Sequence, residues 1–288
     1  MPLRIRRHIS TRPVTTFFVV AYLLSWIAWA PLVYNDWWAT WSPLVLADNV
    51  QTMVFIMIGG FGPLVAAALV TWAIGDSVRE WAGQLLRWRV SVRYWLFAIL
   101  FPAIAVILAS AIHIVAFDGQ FDPASSSVLV LYPVLFLQVF LVGGGNEELG
   151  WRGFALPRLQ ESYSALVASL IIGVGWFAWH LPLFVVAGSS QAGDPVYYYA
   201  LAVIALSVVF TWLYNETGGS VLLTMVLHGS VNTSGILYLV GGGAALQTDL
   251  PNGLLAVVFL AAALIVVSVY GSERLADVEV PTRPSGSQ

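Results

Sequence analysis

Apolar stretches of about twenty residues recur along almost the whole chain, and charge is confined to the short segments between them. That pattern excludes a water-soluble fold, because a soluble chain of this length would have to cover its core with polar side chains. Charged residues make up only 9% of the 288, against roughly 25% in an ordinary soluble domain. The stretches lie near residues 14–34, 52–74, 94–117, 128–149, 166–187, 197–214, 219–240 and 253–271. They predict an all-α integral membrane protein of about eight transmembrane helices. The first stretch does not read as a cleaved signal peptide, since it stays apolar past Pro31 and no small-residue cleavage site follows.

The arginines order these spans. Arg4, Arg6, Arg7 and Arg12 precede the first; Arg79, Arg87, Arg89 and Arg93 lie between the second and third. Arg152 and Arg158 follow the fourth, and Arg274 and Arg283 follow the last. With eight spans every arginine falls on one side, and the other side carries acids alone: Asp36, Asp48, Asp118, Asp122, Asp194 and Asp249. The positive-inside bias then predicts a multi-pass cell-membrane protein with both termini in the cytoplasm.

Residues 1–13 read as a basic cytoplasmic arm, 14–271 as the membrane domain and 272–288 as a disordered cytoplasmic tail. Residues 76–92 and 153–163 mix apolar and charged side chains as short interfacial helices do. Trp37, Trp38, Trp41, Trp81, Trp88 and Trp95 fit an aromatic belt at the membrane surface. The chain has no cysteine, which excludes thiol catalysis, disulfides and thiolate metal sites. It has no lysine and a net charge of −3, so no nucleic-acid partner is expected.

Polar side chains within apolar spans are costly and therefore candidates for function. The fourth span ends in Gly143-Gly144-Gly145-Asn146-Glu147-Glu148-Leu149-Gly150-Trp151-Arg152. Glu148 and Arg152 are four apart with the acid first, the favoured order for a helical ion pair. Glu147 points about 100° away from Glu148 and has no evident local partner, which suits it to general-base work. The bland alternative leaves both glutamates solvated at a helix end. His180 in the fifth span could simply bond a neighbouring helix, and so could His228 in the seventh. Three spans that each bring a group useful for hydrolysis argue otherwise, although His180 would sit about 20 Å deep if its helix began at Leu166. Asn232 shares a helical face with His228 and could donate to a developing oxyanion. His113 reads as interfacial, His8 lies in the basic arm, and Gly59-Gly60-Phe61-Gly62-Pro63 reads as a close-packing kink. His-Glu-x-x-His, Gly-x-Gly-Asp and Gly-x-Ser-Gly protease signatures are all missing.

These residues resemble the CAAX-type prenyl endopeptidases and their prokaryotic relatives, the CPBP (Abi) intramembrane proteases. The family's Glu-Glu-x-x-x-Arg stands as Glu147-Glu148-Leu149-Gly150-Trp151-Arg152 and its His-x-x-x-Asn as His228-Gly229-Ser230-Val231-Asn232. Its Phe-x-x-x-His is matched with a departure, Trp176 standing for phenylalanine before His180. The likeness covers about residues 128–240. It implies helices enclosing a polar cavity open to the cytoplasm, and cleavage near the C-terminus of prenylated or other membrane-associated proteins. By the same resemblance Glu147 and His180 activate water, while His228 and Asn232 hold the oxyanion or a metal. A zinc ion on His180, His228 and Glu147 and a metal-free site both remain open. Asparagine, a poor zinc ligand, suits an oxyanion hole better. The alternatives are a non-catalytic scaffold or bacteriocin-immunity protein, which relatives also include, and a proton-coupled transporter.

Overall fold

A computed structural model describes residues 6, 9–34, 48–241 and 249–281, and these are all helix, turn and loop. His8, Arg4, Arg7, Arg283, Asp36 and Trp37, Trp38 and Trp41 lie outside them. Among the described residues six helices are long and apolar enough to cross a membrane. They are α1 (Pro13–Val33), the pair α2 (Asp48–Gly60) and α3 (Gly62–Ile74), α5 (Val92–Ala116), α7 (Ala165–His180) with its tight extension Leu181–Val185, α8 (Val196–Glu216) and α10 (Asp249–Tyr270). Two of the expected spans are shorter: α6 (Tyr132–Val142) and α9 (Val221–Thr233).

Local chemistry accounts for the boundaries. Proline occupies the first turn of α1, α3 and α6, where its missing N–H costs nothing. The Ser164 and Ser220 hydroxyls cap α7 and α9 by accepting from the Val167 and Leu223 amides. α2 and α3 form one span bent at Phe61. Pro63 has no N–H for the Gly59 carbonyl, and the Ser25 hydroxyl of α1 donates to that carbonyl instead, at 2.7 Å. Gly62 brings α1 into contact: a β-carbon there would lie 2.0 Å from Ser25 Oγ.

The expected fourth span does not run unbroken over 128–149. α6 stops at Val142, and Gly144 takes φ +140°. The chain then continues as a single helical run over 145–160 that tightens at 145–147 and widens to π-helical turns at 151–155. Successive glycines cannot hold a helix without side-chain packing, and the break lets the run turn into the protein. In the proposed interfacial helix at 153–163, residues 153–159 are therefore core, while 161–163 are exposed. Phe154 and Leu156 are fully buried, and Arg158 is tied to Asp76 at 2.7 Å.

The 76–92 segment is only partly interfacial. In α4 (Val78–Gly83) and the turn after it, Trp81 and Gln84 point inward and donate to Leu149 O and Gly153 O, while Leu86 and Trp88 stay exposed. Trp81 thus leaves the aromatic belt. Within the expected tail, Leu275 and Ala276 are buried against the bundle. The Ala165 and Leu166 amides donate to the carbonyls of Glu273 and Ser272, and Glu216 accepts from the Asp277 amide.

The helix ends sort into two faces. On one, Arg158 meets Asp76, Arg87 donates to Gly218 O, and Asn215 donates to Arg274 O. On the other, the Asp122 amide donates to Leu239 O and Asn252 donates to Asp194. Among the described arginines, all but Arg152 belong to segments at the first face, called here the arginine end.

Candidate active site

The broken run is held by the kink it faces. Asn146 Nδ2 donates to the Gly60 carbonyl at 2.9 Å. Gly150 packs so closely on α3 that a β-carbon would lie 2.6 Å from Pro63 O. Between these anchors Glu147 and Glu148 point into the protein, where they are 5% and 0% exposed. Neither is a solvated carboxylate at a helix end.

Glu148 accepts from Arg152 Nη1 at 3.1 Å, the i, i+4 pair that the spacing predicts. The same oxygen meets His228 Nδ1 at 2.8 Å, a link the sequence alone did not suggest. The carboxylate thereby sets the ring so that Nε2 faces away from it, as carboxylates commonly orient imidazoles. Arg152 is fully buried, with its guanidinium carbon 5.0 and 4.5 Å from the Trp176 and Phe210 ring centres. Its Nη2 donates to Ser207 Oγ of α8 at 3.2 Å.

Glu147 does have a local partner, contrary to expectation. Trp151, one turn on, donates its indole N–H to Glu147 Oε2 at 3.2 Å, and Trp176 of α7 donates to the same oxygen at 2.9 Å. Phenylalanine at 176 could make no such bond, so the departure from the family pattern carries a specific contact.

His180, His228 and Asn232 line one cavity of about 380 Å³ together with Gly143 and Trp176. His180 closes α7, and its Nδ1 bonds the Trp176 carbonyl at 2.8 Å, directing Nε2 outward. Its depth is resolved by the fold, because α9 brings His228 and Asn232 to the same wall. Asn232 Nδ2 reaches Gly143 O at 3.1 Å, and a carboxamide nitrogen has a second N–H to offer. Gly144 is the floor: a β-carbon there would lie 2.4 Å from His228 Nε2 and 2.8 Å from Asn232 Nδ2. Glu147 is not on the wall itself but joins it through the Trp176 indole. His113 lies apart, against Gly119.

Among the described residues, no group of three His, Asp or Glu side chains is arranged to hold a metal ion. The set Glu147, His180 and His228 is thus not drawn together as a ligand cage. Both histidines keep an Nε2 that could bind a cation, whereas the Oε2 oxygen of Glu147 accepts from two indoles.

The cavity runs from these groups to Ser190, Gln191, Asp194 and Asn252. All of these belong to the end of the bundle opposite the arginines.

Residues 129–234 match the family described as Type II CAAX prenyl endopeptidase Rce1-like. The chain is 34% identical to CAAX prenyl protease 2 of Methanococcus maripaludis over 139 residues, 44% of this chain and 51% of the relative. It is 30% identical over 146 residues to a putative amidate substrates transporter protein of Mycolicibacterium smegmatis, 47% of this chain and 63% of the relative. The chain thus spans between half and two thirds of the length of these two proteins.

Proposed function

We propose that this multi-pass membrane chain, whose residues 129–234 match the Type II CAAX prenyl endopeptidase Rce1-like family, is an intramembrane endopeptidase acting through water activated by Glu147. The observation that carries this reading is the convergence of three imidazole and carboxamide groups on one cavity wall, with a buried carboxylate one hydrogen bond behind it.

In the proposed reaction a water bound between the cavity wall and Glu147 attacks the scissile carbonyl and gives its proton to Glu147. The carbonyl oxygen becomes an oxyanion that accepts from Asn232 Nδ2, beside the His228 ring, whose orientation Glu148 holds. As the tetrahedral carbon collapses, the C–N bond breaks and the proton passes from Glu147 to the leaving amine. His180 helps to place the attacking water. Trp151 and Trp176 keep the Glu147 carboxylate in one orientation, which lowers the reorganisation needed at the moment of attack.

A transporter reading draws on the name of one relative. A transport path would have to pass Trp151, Arg152 and Phe154, which are all fully buried, before it reached the arginine end. A scaffold or immunity protein would not need the base. Comparative proteomics of membranes bearing wild type and Glu147→Gln tests this. Truncated membrane proteins present only with wild type are expected, and identical peptide sets would refute the endopeptidase reading.

Zinc is a separate question. Chelator-washed protein is expected to retain activity without stoichiometric metal. Zinc at one equivalent, lost and regained together with activity, would instead assign His180 and His228 to a metal.

A further inference from the structure

We propose that the segment joining α4 to α5 is a binding site for an anionic phospholipid, whose phosphate lies between Arg87 and Arg89 while its acyl chains run down the outer face of α5. The site is separate from the cavity of His180 and His228, and its occupation needs no turnover there.

Leu86-Arg87-Trp88-Arg89-Val90-Ser91-Val92-Arg93 alternates apolar with polar side chains and holds three arginines and no acid. Its apolar members are not turned inward: Leu86 is 76% exposed, Trp88 56% and Val92 68%. At the boundary of a bilayer such side chains enter the acyl region, while guanidinium groups stay among the headgroups.

Leu86, Arg87, Trp88, Arg89, Val90 and Thr217 line an open groove against the end of α8. The groove is pinned to the turn between α8 and α9. Arg87 Nη1 donates to Gly218 O at 2.6 Å, and Ser220 Oγ donates to Arg87 O at 2.6 Å. Gly219 takes φ +84°, and a β-carbon there would lie 2.5 Å from Arg87 Nη1. The turn thus holds the Arg87 guanidinium by one N–H and leaves its other donors for a ligand. Arg89 lies over the Trp88 ring, 5.2 Å from its centroid, and makes no hydrogen bond or ion pair among the described residues.

Arg93 and Arg158, at the same end, have carboxylates in Glu216 and Asp76. Arg87 and Arg89 have none among the described residues, and no acid lines their groove. Two guanidinium groups so placed match the oxygens of a phosphate. That phosphate belongs to a lipid because an apolar surface continues from the groove. Val92, Leu96, Leu100 and Ile104 are exposed on successive turns of α5, beginning three residues after Arg89.

Native mass spectrometry of the purified full chain, mixed with equal amounts of phosphatidylglycerol and phosphatidylcholine of the same acyl chains, tests the site. Wild type is expected to retain phosphatidylglycerol in preference. Arg89→Gln should lower that preference about fivefold, the effect of one cation beside an anionic lipid. Arg89 bonds nothing else in the described protein, so this variant should unfold at the wild-type temperature. Arg79→Gln, which removes an exposed arginine of α4 outside the groove, should leave the preference unchanged. Wild type without a preference would overturn the proposal. Equal losses in the two variants would also overturn it, since diffuse charge would then do the binding. Inorganic phosphate at the lipid concentration should displace no phosphatidylglycerol. Full displacement would show that the acyl chains contribute nothing, which again overturns the lipid site.

Discussion

Trp176 is the residue at which this chain most clearly departs from the pattern it resembles. Its indole lines the cavity, donates to Glu147 and covers Arg152. Trp176→Phe keeps a ring at the position and removes the donor. A hydrogen bond to a charged group contributes about 1.5–3 kcal/mol. If that contact matters in the transition state, kcat should fall about ten- to hundredfold with the thermal unfolding temperature little changed. An unchanged kcat would remove Trp176 from the positioning of Glu147. Glu148 should behave differently from Glu147. Glu148→Gln leaves the fully buried Arg152 without its carboxylate and releases His228. Breaking a buried pair on one side costs about 3–5 kcal/mol, so unfolding in detergent should shift markedly for Glu148→Gln and little for Glu147→Gln. The i, i+4 spacing made the Arg152 contact readable in advance. The contact with His228 was not readable, because it joins residues 80 apart in sequence.

At the scale of elements, the kink between α2 and α3 does more than bend a span. It exposes the carbonyls of Gly59 and Gly60, which Ser25 and Asn146 then take as anchors. The second of these bonds holds the residue next to Glu147. The Gly-Gly-Phe-Gly-Pro run could be read as a close-packing bend, but its tie to the site could not. Gly62→Ala would place a β-carbon 2.0 Å from Ser25 Oγ and 2.8 Å from Ala21 O. Overpacking of that kind costs about 1–3 kcal/mol. The variant should therefore unfold earlier and, through Asn146, lose activity out of proportion to its folded fraction. Activity that simply tracks the folded fraction would mean the kink serves packing alone. The break at Gly143–Gly145 was missed for a related reason. Three glycines are compatible with either a helix or a break, and only the packing of Gly144 against His228 and Asn232 decides between them.

For the molecule as a whole, the ordered tail closes the arginine end. Residues 272–277 bond the first turn of α7 and the last turn of α8 through backbone and Glu216. Net contributions of about 1 kcal/mol per bond predict that truncation after Gly271 destabilises the bundle by a few kcal/mol. The cavity residues at the other end should remain in place, so specific activity of the folded fraction should be retained. A tail that can be removed without any change in unfolding would show these contacts to be weak. The polar and proline-containing end of the chain suggested disorder, but Leu275 and Ala276 within it are buried. Two apolar residues are too few to register in a composition average.

Membrane insertion is decided largely within each segment, because every backbone polar group in lipid must be satisfied by the helix that carries it. For that reason the sequence by itself determined the all-helical membrane architecture, the approximate spans and the gathering of arginines at one end. The polar contacts at the site depend on packing between helices, whose partners are far apart in the chain. Glu147 with Trp176 spans 29 positions and Asn146 with Gly60 spans 86. No periodicity encodes such pairs, so only the tertiary structure decided which carboxylate faces which ring. It also decided that His180, His228 and Asn232 share one cavity, since its wall is made by several helices at once.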